Sequence, residues 1–328
     1  MVVSLKSVLT AVATAGAVAA LTLSAAFAQA WPTKPVKVLI GFAPGGPTDL
    51  IGRVMADHLT KALGQPFVVE SKPGASGVVA GQALLAAPAD GYTIYVVSFG
   101  VIATARAMMA SMTYDPAVAF APISMLVRSA LIVEVSTQTP VTNWQEFLTY
   151  AKANSGKLNH GSPGVGTQPH LAAELLRQRL GFDSQHVAYR GTGPFMQGMM
   201  QKELQWAVDS PSGTLQLLKG NHIRAIAVAS EKRWPDFPDV PTLTELGMAD
   251  AVWPAWFGLV TQTGVPKEII DKIAAEVAKG WQEPDNIAKL RTVGYEAWAT
   301  SPEETTRLFA IDRERWTKVV RDNNIKAE

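Results

Sequence analysis

The sequence predicts an α/β protein with two domains and mainly parallel sheets. From residue 31 onward, short β-rich runs alternate with amphipathic stretches, which is typical of parallel strands joined by helices. Without its first thirty residues the chain keeps 298 of its 328 residues. That length exceeds what one hydrophobic core usually serves, so two domains are expected.

Residues 1–30 differ from the rest of the chain. Lys6 is their one charged residue, and an apolar, alanine-rich run follows from Val8 to Phe27. This pattern is typical of a secretory signal peptide, and Ala28 and Ala30 predict cleavage near residue 28 or 30. A transmembrane anchor is the alternative, but the run is dominated by alanine and ends in a cleavage pattern. We expect an exported mature chain that begins at Trp31.

Composition excludes several classes of protein. Cysteine is absent, which excludes disulfides, thiol chemistry and a lipid-bearing cysteine anchor. Lys6 is one of the 29 basic residues, so the mature chain carries 28 basic and 28 acidic side chains. A formally neutral chain lacks the excess of basic residues that is typical of proteins that bind nucleic acid. We expect a soluble monomer outside the cytoplasm.

The first half of the mature chain predicts repeated strand-to-helix units. The clearest runs from a buried strand at 36–42 through a tight loop at 43–47 into a helix at 48–63. Apolar residues recur in that helix every three or four positions, and Gly64 ends it. The same reasoning predicts a helix at 78–87 after a loop at 72–77, and β-rich runs at 66–70, 92–98 and 123–135.

The middle region repeats this design, and the tail is helical. Helices are predicted at 143–154, 167–180 and 194–200, with strands at 187–189, 205–208, 223–228 and 256–260. The tail predicts three helices, at 267–282, 285–293 and 302–323. We expect them to pack on the first domain, because this is the simplest way to bury their apolar faces. The predicted domains are 31–130 plus 254–328 and 131–253, with chain crossings near residues 131 and 253.

Three glycine-rich loops, at 43–49, 161–167 and 190–194, each lead from a strand into a helix. A helix N-terminus leaves backbone N–H groups without internal partners and carries about half a positive charge, and glycine lets a ligand approach that backbone. Because parallel strands bring such loops to one crevice, they predict an anion site. Ordinary turn and capping roles are the alternative. The hydroxyls suited to carboxylate oxygens are those of Thr48, Ser162, Thr167 and Thr192.

The signatures of common enzymes are missing from the sequence. Residues 41–48 have the glycine spacing of a phosphate-binding loop, but Pro47 stands where a lysine is required. No G-x-G-x-x-G follows the first strand, and neither G-x-S-x-G nor H-E-x-x-H occurs. His170 and Glu174 lie four residues apart on one helix, yet no third metal ligand is evident. We assign no catalytic residue, metal or cofactor.

Two kinds of charged side chain are candidates near these loops. Asp209 ends a strand before Ser210-Pro211, where its carboxylate can accept a hydrogen bond from a ligand group or a bridging water. Capping of the following turn is its alternative role. Arg190 and Arg128 are the cations expected near the loops, where either can pair with a carboxylate or lie on the surface.

These loops, in this order after a signal peptide, resemble the Bug family, the TctC-type solute-binding proteins of tripartite tricarboxylate transporters. The resemblance covers essentially the whole mature chain. The matching stretches include Phe42-Ala43-Pro44-Gly45-Gly46 with Thr48-Asp49, Lys72-Pro73-Gly74-Ala75, Ala89-Asp90-Gly91-Tyr92-Thr93, Tyr114-Asp115-Pro116, Gly161-Ser162 with Gly164, His170-Leu171-Ala172, Tyr189-Arg190-Gly191 and Trp256-Phe257-Gly258-Leu259.

The resemblance implies a two-domain periplasmic-binding-protein fold of the Venus-flytrap type, with the ligand in the cleft between the domains and no chemistry performed on it. It implies that the 42–49 and 162–167 loops jointly hold one carboxylate, partly through ordered waters, and that Ser98 and Asp209 occupy cleft positions. The expected ligand-binding residues are Phe42, Gly46, Pro47, Thr48, Asp49, Ser98, Phe99, Gly100, Ser162, Gly164, Thr167, Gln168, His170, Arg190 and Asp209.

The implied function is that of a periplasmic receptor that delivers a small carboxylate to the membrane components of such a transporter. Where the family often has small polar residues, this chain has Phe99, Val101 and Ile102, and Gln168-Pro169 replaces a Ser-Ser pair. These departures favour an aromatic or partly apolar mono- or dicarboxylate. One alternative is a receptor for an aliphatic or amino-acid dicarboxylate that feeds a signalling partner. Another is a secreted hydrolase with Asp209 and His170 as acid and base.

Overall fold

The computed structural model describes residues 31–235 and 237–326, apart from the side chain of Ser212, and the expected signal peptide of residues 1–30 lies outside them. In this range the chain forms two sheets flanked by helices. Among these residues, no helix combines the length and the apolar character that crossing a membrane requires.

The first sheet contains three parallel strands that end at one edge. Its strands are β1 (Val36–Ile40), β2 (Phe67–Ser71), β3 (Thr93–Ser98), β4 (Phe120–Ser129), β10 (Ala255–Gln262) and β11 (Glu296–Ala297). Their order across the sheet is β11-β4-β10-β3-β1-β2. β1 pairs in parallel with β2 and β3, whereas β10 runs antiparallel to β3 and β4.

The second sheet repeats this arrangement. Its strands are β5 (Leu131–Ser136), β6 (Leu158–Ser162), β7 (Ser184–Ala188), β8 (Trp206–Asp209) and β9 (Ile223–Ala229), in the order β7-β6-β8-β5-β9. β6 pairs in parallel with β7 and β8, and β5 runs antiparallel to β8 and β9. The carboxyl ends of β6, β7 and β8 therefore share an edge.

Helices connect and cover these strands. They are α1 (Pro47–Leu63), α2 (Val78–Leu85), α3 (Phe99–Ala103), α4 (Ala105–Met108), α5 (Pro116–Ala119), α6 (Trp144–Ala153), α7 (Gln168–Leu180), α8 (Thr192–Met200), α9 (Pro211–Lys219), α10 (Lys267–Gly280), α11 (Pro284–Thr292) and α12 (Pro302–Asp322). The predicted helices are confirmed within a few residues at their ends. The sequence reasoning did not predict α3, α4, α5 and α9, which are short or interrupted by glycine.

The β-rich run predicted at 123–135 needs a correction. It forms two strands, β4 and β5, which lie in different sheets and are separated at Ala130. No glycine or proline stands between Ile123 and Val135 to mark the change of sheet, so the run reads as continuous in the sequence. Ala130 is therefore a point where the chain passes from one sheet to the other.

Side-chain alternation along the strands builds the core on both faces of the first sheet. Val36, Val38 and Ile40 of β1 are fully buried in a cluster with α1, α10 and α11, while Leu39 points into a second cluster. The second cluster continues into the other sheet, where it includes Trp206. Full burial of such an aliphatic side chain contributes about 1.5–3 kcal/mol.

The strands divide by chain segment. The first sheet takes its strands from residues 36–129 and 255–297, and the second takes its strands from residues 131–229. The chain passes between the sheets at Ala130 and again between 229 and 255. The domain boundaries at 130/131 and 253/254 stay a prediction, which this distribution of strands supports.

Candidate ligand-binding site

The edges at which the parallel strands end meet in one place. The hydroxyl of Thr104, which lies between α3 and α4 after the last strand residue of β3, donates a hydrogen bond to the Gly166 carbonyl at 3.3 Å. The Gln168 side-chain amide donates to the Pro254 carbonyl at 2.6 Å. A Cβ on Gly166 would also collide with Met108. The loops of the two sheets therefore touch at Gly166.

The loop after β1 is fixed by a buried carboxylate. Asp49 accepts hydrogen bonds from the Gly45 N–H at 3.0 Å and from Arg53 Nε at 3.0 Å. The hydrogen bond from Arg53 holds the pKa of Asp49 below its usual value, although burial opposes this effect. Asp49 therefore serves as a support of the loop. Thr48 is buried beside it, and the predicted contacts that stay partly exposed are Phe42, Gly46 and Pro47.

The end of β3 joins this edge to the interface. Ser98 Oγ donates to the Ser76 carbonyl at 3.2 Å, which ties β3 to the loop after β2. Gly100 is partly exposed, and a Cβ there would lie 3.7 Å from the Gly166 carbonyl oxygen. The structure thus brings Gly100 next to Gly166, and the ligand contacts of Ser98 and Gly100 stay a prediction.

The apolar residues after β3 lie in the core. The buried Phe99 ring contacts Trp256 and Trp316 edge-on, with centroid distances of 5.8 and 5.4 Å. Val101 and Ile102 are buried as well, at 1% and 4% exposure. These contacts occupy the three side chains on which the hypothesis of an apolar pocket was based. That hypothesis stays a prediction, and their packing gives it no support.

The loop after β6 satisfies its hydroxyl groups internally. Ser162 is fully buried, with Oγ 2.8 Å from His186 Nε2, and accepts a hydrogen bond from the Gly164 N–H at 3.2 Å. Thr167 Oγ1 donates to the Gly164 carbonyl at 2.7 Å. Gly164 and Thr167 are partly exposed. Thr167 is therefore better placed than Ser162 for contact with a ligand.

The first turn of α7 supports this loop from behind. Gln168 and His170 are buried, and His170 Nδ1 accepts a hydrogen bond from the Gly166 N–H at 3.0 Å. Glu174, which sequence spacing paired with His170, instead lies 3.1 Å from His160 Nε2 and 2.6 Å from Arg177. In the part of the chain that the structure describes, no group of three metal-type ligands is found.

The remaining predicted charges differ in their surroundings. Arg190 is exposed, next to the Gly191 N–H that donates to the Pro163 carbonyl at 3.0 Å. Asp209 is buried, and burial raises its pKa to about 7. Arg128 pairs with Glu296 at 3.3 Å on the exposed side of β4. Arg190 therefore flanks the 162–167 loop, whereas Arg128 is engaged elsewhere.

Sequence reasoning missed three titratable groups in the second sheet, of which His160 and Glu134 are buried and His186 is partly exposed. His160 and His186 lie beneath the 162–167 loop, and Glu134 is fully buried on β5. The histidines come from β6 and β7, and only the pairing of these strands brings them together. Glu134 alternates with apolar neighbours in a strand, which is one signal that the sequence offered.

The sequence profile described as tripartite tricarboxylate transporter family receptor matches residues 51–325, which is most of the chain. This chain belongs to that family. A protein from Cupriavidus necator is 34% identical over 90% of each chain. BugT of Bordetella pertussis is 28% identical over 96% of this chain and 95% of its own. The predicted Bug, TctC-type membership is confirmed.

Solved structures of relatives share the whole fold of this TctC-type receptor. An R. palustris protein solved with adipate has a TM-score of 0.82 and 31% identity, covering 90% of this chain and 99% of that one. MatC from Rhodopseudomonas palustris, with bound malate, has a TM-score of 0.76 and 29% identity, covering 88% and 100%. The predicted periplasmic-binding-protein fold is confirmed. The family consists of solute-binding receptors, and its carboxylate complexes agree with the predicted ligand class.

Proposed function

We propose that this TctC-type receptor binds a small carboxylate between the loop edges of its two sheets and passes it, chemically unchanged, to membrane components of a tripartite transporter. The observation that carries the proposal is the contact of the two sheets at Gly166, where Thr104 and Met108, which follow β3 of the first sheet, meet the 162–167 loop of the second. We propose that the 42–49 loop, at the end of the neighbouring strand β1, faces the same site. We place the protein in the periplasm, in keeping with solved relatives that are described as periplasmic, and we propose that it is a monomer.

Backbone dipoles supply the attraction for an anion. Helix α7 begins directly after the 162–167 loop, and α8 begins after Gly191, whose N–H donates to the Pro163 carbonyl of that loop, while α1 begins within the 42–49 loop. The first turn of each helix leaves N–H groups without helical partners. The exposed Arg190 guanidinium flanks the 162–167 loop, and the partly exposed Thr167 hydroxyl can donate to a ligand when it turns away from the Gly164 carbonyl. Hydrogen bonds to a charged carboxylate are about twice as strong as neutral ones, so a few such donors suffice for recognition.

The chemical class of the ligand is the finer part of the proposal. Adipate, bound by the R. palustris relative, is a dicarboxylate with an apolar chain, and malate, bound by MatC, is a hydroxy-dicarboxylate. We propose a mono- or dicarboxylate with an apolar or aromatic centre for this chain. An aliphatic or amino-acid dicarboxylate that serves a signalling partner is the alternative outcome of the same test.

The proposed absence of chemistry agrees with the state of His170, one of the two residues of the candidate acid-base pair. His170 Nδ1 already accepts the Gly166 N–H, and the ring is stacked on His186. A general base needs a free ring nitrogen within hydrogen-bond reach of the substrate. We therefore favour binding over hydrolysis.

A thermal-shift screen of the mature protein tests the proposal. The panel contains adipate, malate, citrate, glutamate, benzoate and terephthalate. A ligand at a hundred times its Kd stabilises the folded state by about 2.7 kcal/mol, which raises Tm measurably. A rise in Tm confined to adipate, benzoate or terephthalate supports the apolar class. Tight binding of citrate or glutamate alone contradicts that class, and the absence of a response to every acid contradicts carboxylate binding.

A further inference from the structure

Three histidines from three elements lie together beneath the 162–167 loop, and of these His160 and His170 are buried whereas His186 is partly exposed. His170 of α7 stacks on His186 of β7, with ring centroids 3.7 Å apart and planes 9° apart. His160 of β6 lies 5.2 Å from His186. The stacked pair is the part of this cluster that reaches the loop.

Each ring of the stacked pair contacts one end of the loop. His170 Nδ1 accepts the Gly166 N–H at 3.0 Å, so the ring proton of neutral His170 resides on Nε2. His186 Nε2 lies 2.8 Å from Ser162 Oγ, the group that also accepts the Gly164 N–H. The pair therefore determines where two backbone N–H groups of the loop point.

One N–H of the loop is left over. The Gly164 and Gly166 N–H groups are turned inward by Ser162 and His170, and the Thr167 N–H donates to the Gly164 carbonyl at 3.4 Å. Within the described residues, the N–H of the partly exposed Val165 makes no hydrogen bond. An anion at this loop would find that donor available.

We propose that His170 is a positioning residue for carboxylate binding, which with its stacked partner His186 holds the 162–167 loop in its anion-binding form only while both rings are neutral. The proposal rests on the proposed function. It gives His170 a role through the loop, in place of the direct ligand contact predicted from the sequence.

The surroundings of the pair favour neutral rings. Burial lowers the pKa of His170 to about 4 and that of His186 to about 3. The titratable groups that act on them are Glu174 from α7 and His160 from β6, and Arg177 of α7 contacts Glu174 at 2.6 Å. Glu174 is engaged by His160 and Arg177, and Asp183 before β7 pairs with Arg177 at 3.1 Å. Only part of the negative charge of Glu174 therefore acts on the pair.

Protonation would disrupt the stacked pair in two ways. A protonated Nδ1 is a donor and cannot accept the Gly166 N–H, and two cationic rings at 3.7 Å repel each other. We therefore expect carboxylate affinity to fall as the pH drops toward 4, by more than the titration of the ligand itself explains.

Two variants of His170 and one control test whether the hydrogen-bond acceptor or the ring of His170 matters for affinity. The affinities for adipate and terephthalate are measured. His170→Phe keeps a ring on His186 but has no acceptor, so we expect a loss of affinity of about tenfold or more. His170→Asn supplies an oxygen acceptor near the position of Nδ1, and we expect it to bind at least fivefold more tightly than His170→Phe. His222→Asn, at an exposed histidine of the same domain, is the control and should bind as the wild type does.

The pH profile distinguishes positioning from simple packing. Because ligand titration is common to all variants, the wild-type affinity should fall more steeply from pH 6 to pH 4 than that of His170→Asn. Nitrogen NMR of the unliganded protein should show His170 protonated on Nε2 and not on Nδ1. A proton on Nδ1 overturns the proposal. Equal affinities and equal pH profiles for the wild type, His170→Phe and His170→Asn overturn it as well. If the wild type binds no acid at all, the proposed function fails while the NMR result still decides the His170 contact.

Discussion

At the scale of single residues, the second sheet contains an acid that its surroundings do not satisfy. Glu134 is fully buried on β5, and neither of its oxygens makes a well-formed hydrogen bond, although the Thr214 hydroxyl is near. Burial raises the pKa of Glu134 well above its ordinary value of 4.5, with Asp209 adding to the effect. The neutral acid is therefore the stable form in the folded protein.

The pH dependence of stability follows from this shift. A raised folded-state pKa contributes stability that is fully present below the ordinary pKa and is lost as pH rises through the folded value. We expect Glu134→Gln, a neutral isostere, to be more stable than the wild type at pH 9, by about 1 kcal/mol or more, and nearly equal to it at pH 5. Urea unfolding at both pH values measures this. Glu231→Gln, at an exposed site, is the control, and a Glu134→Gln variant that loses stability at pH 9 contradicts the assignment.

At the scale of elements, the loop between β6 and α7 depends on a glycine. Gly166 has φ +72°, a conformation that side chains rarely adopt, and Met108 fills the space where its Cβ would lie. Gly156 has φ +77° with nothing within 4 Å. The two positions share the backbone cost of a Cβ and differ in the contact.

Matched alanine variants isolate that contact. Both Gly166→Ala and Gly156→Ala should lose about 1 kcal/mol from positive φ. Gly166→Ala should lose a further 1–3 kcal/mol from overpacking against Met108, and it should also weaken carboxylate binding. Thermal unfolding and titration with adipate measure the two effects. Equal losses for the two variants would show that Met108 gives way to the added Cβ at no cost, which contradicts tight packing at Gly166.

Elements with a clear period could be predicted from the sequence, and contacts between elements could not. Helix α1 was predicted because its apolar residues recur every three or four positions and Gly64 ends it. The split at Ala130 lacks a turn residue, and α9 begins with Pro-Ser-Gly, which reads as a loop. The 162–167 loop was predicted from its glycines. The support that His186 gives to that loop comes from another strand, and only strand pairing reveals it.

At the scale of the whole molecule, the two sheets share part of one core. A single buried cluster includes Leu39 and Val97 of the first sheet and Val133 of the second. Trp316 of α12 is fully buried in it and contacts Phe99 of α3 and Trp253 of the chain crossing, at 5.4 Å in both cases. The C-terminal helix thus packs on the crossing between the sheets as well as on the first sheet.

This shared core predicts cooperative unfolding. Loss of either sheet would expose the cluster that the other helps to bury, so the wild type should unfold in one transition, with calorimetric and van't Hoff enthalpies that agree. Trp316→Ala should cost about 3–5 kcal/mol and let the two sheets melt separately. Ile311→Ala, on the exposed side of the same helix, is the control. Scanning calorimetry with parallel tryptophan fluorescence distinguishes the cases. Two resolved transitions in the wild type would mean that each sheet is stable without the shared cluster. That outcome would contradict the prediction of cooperative unfolding.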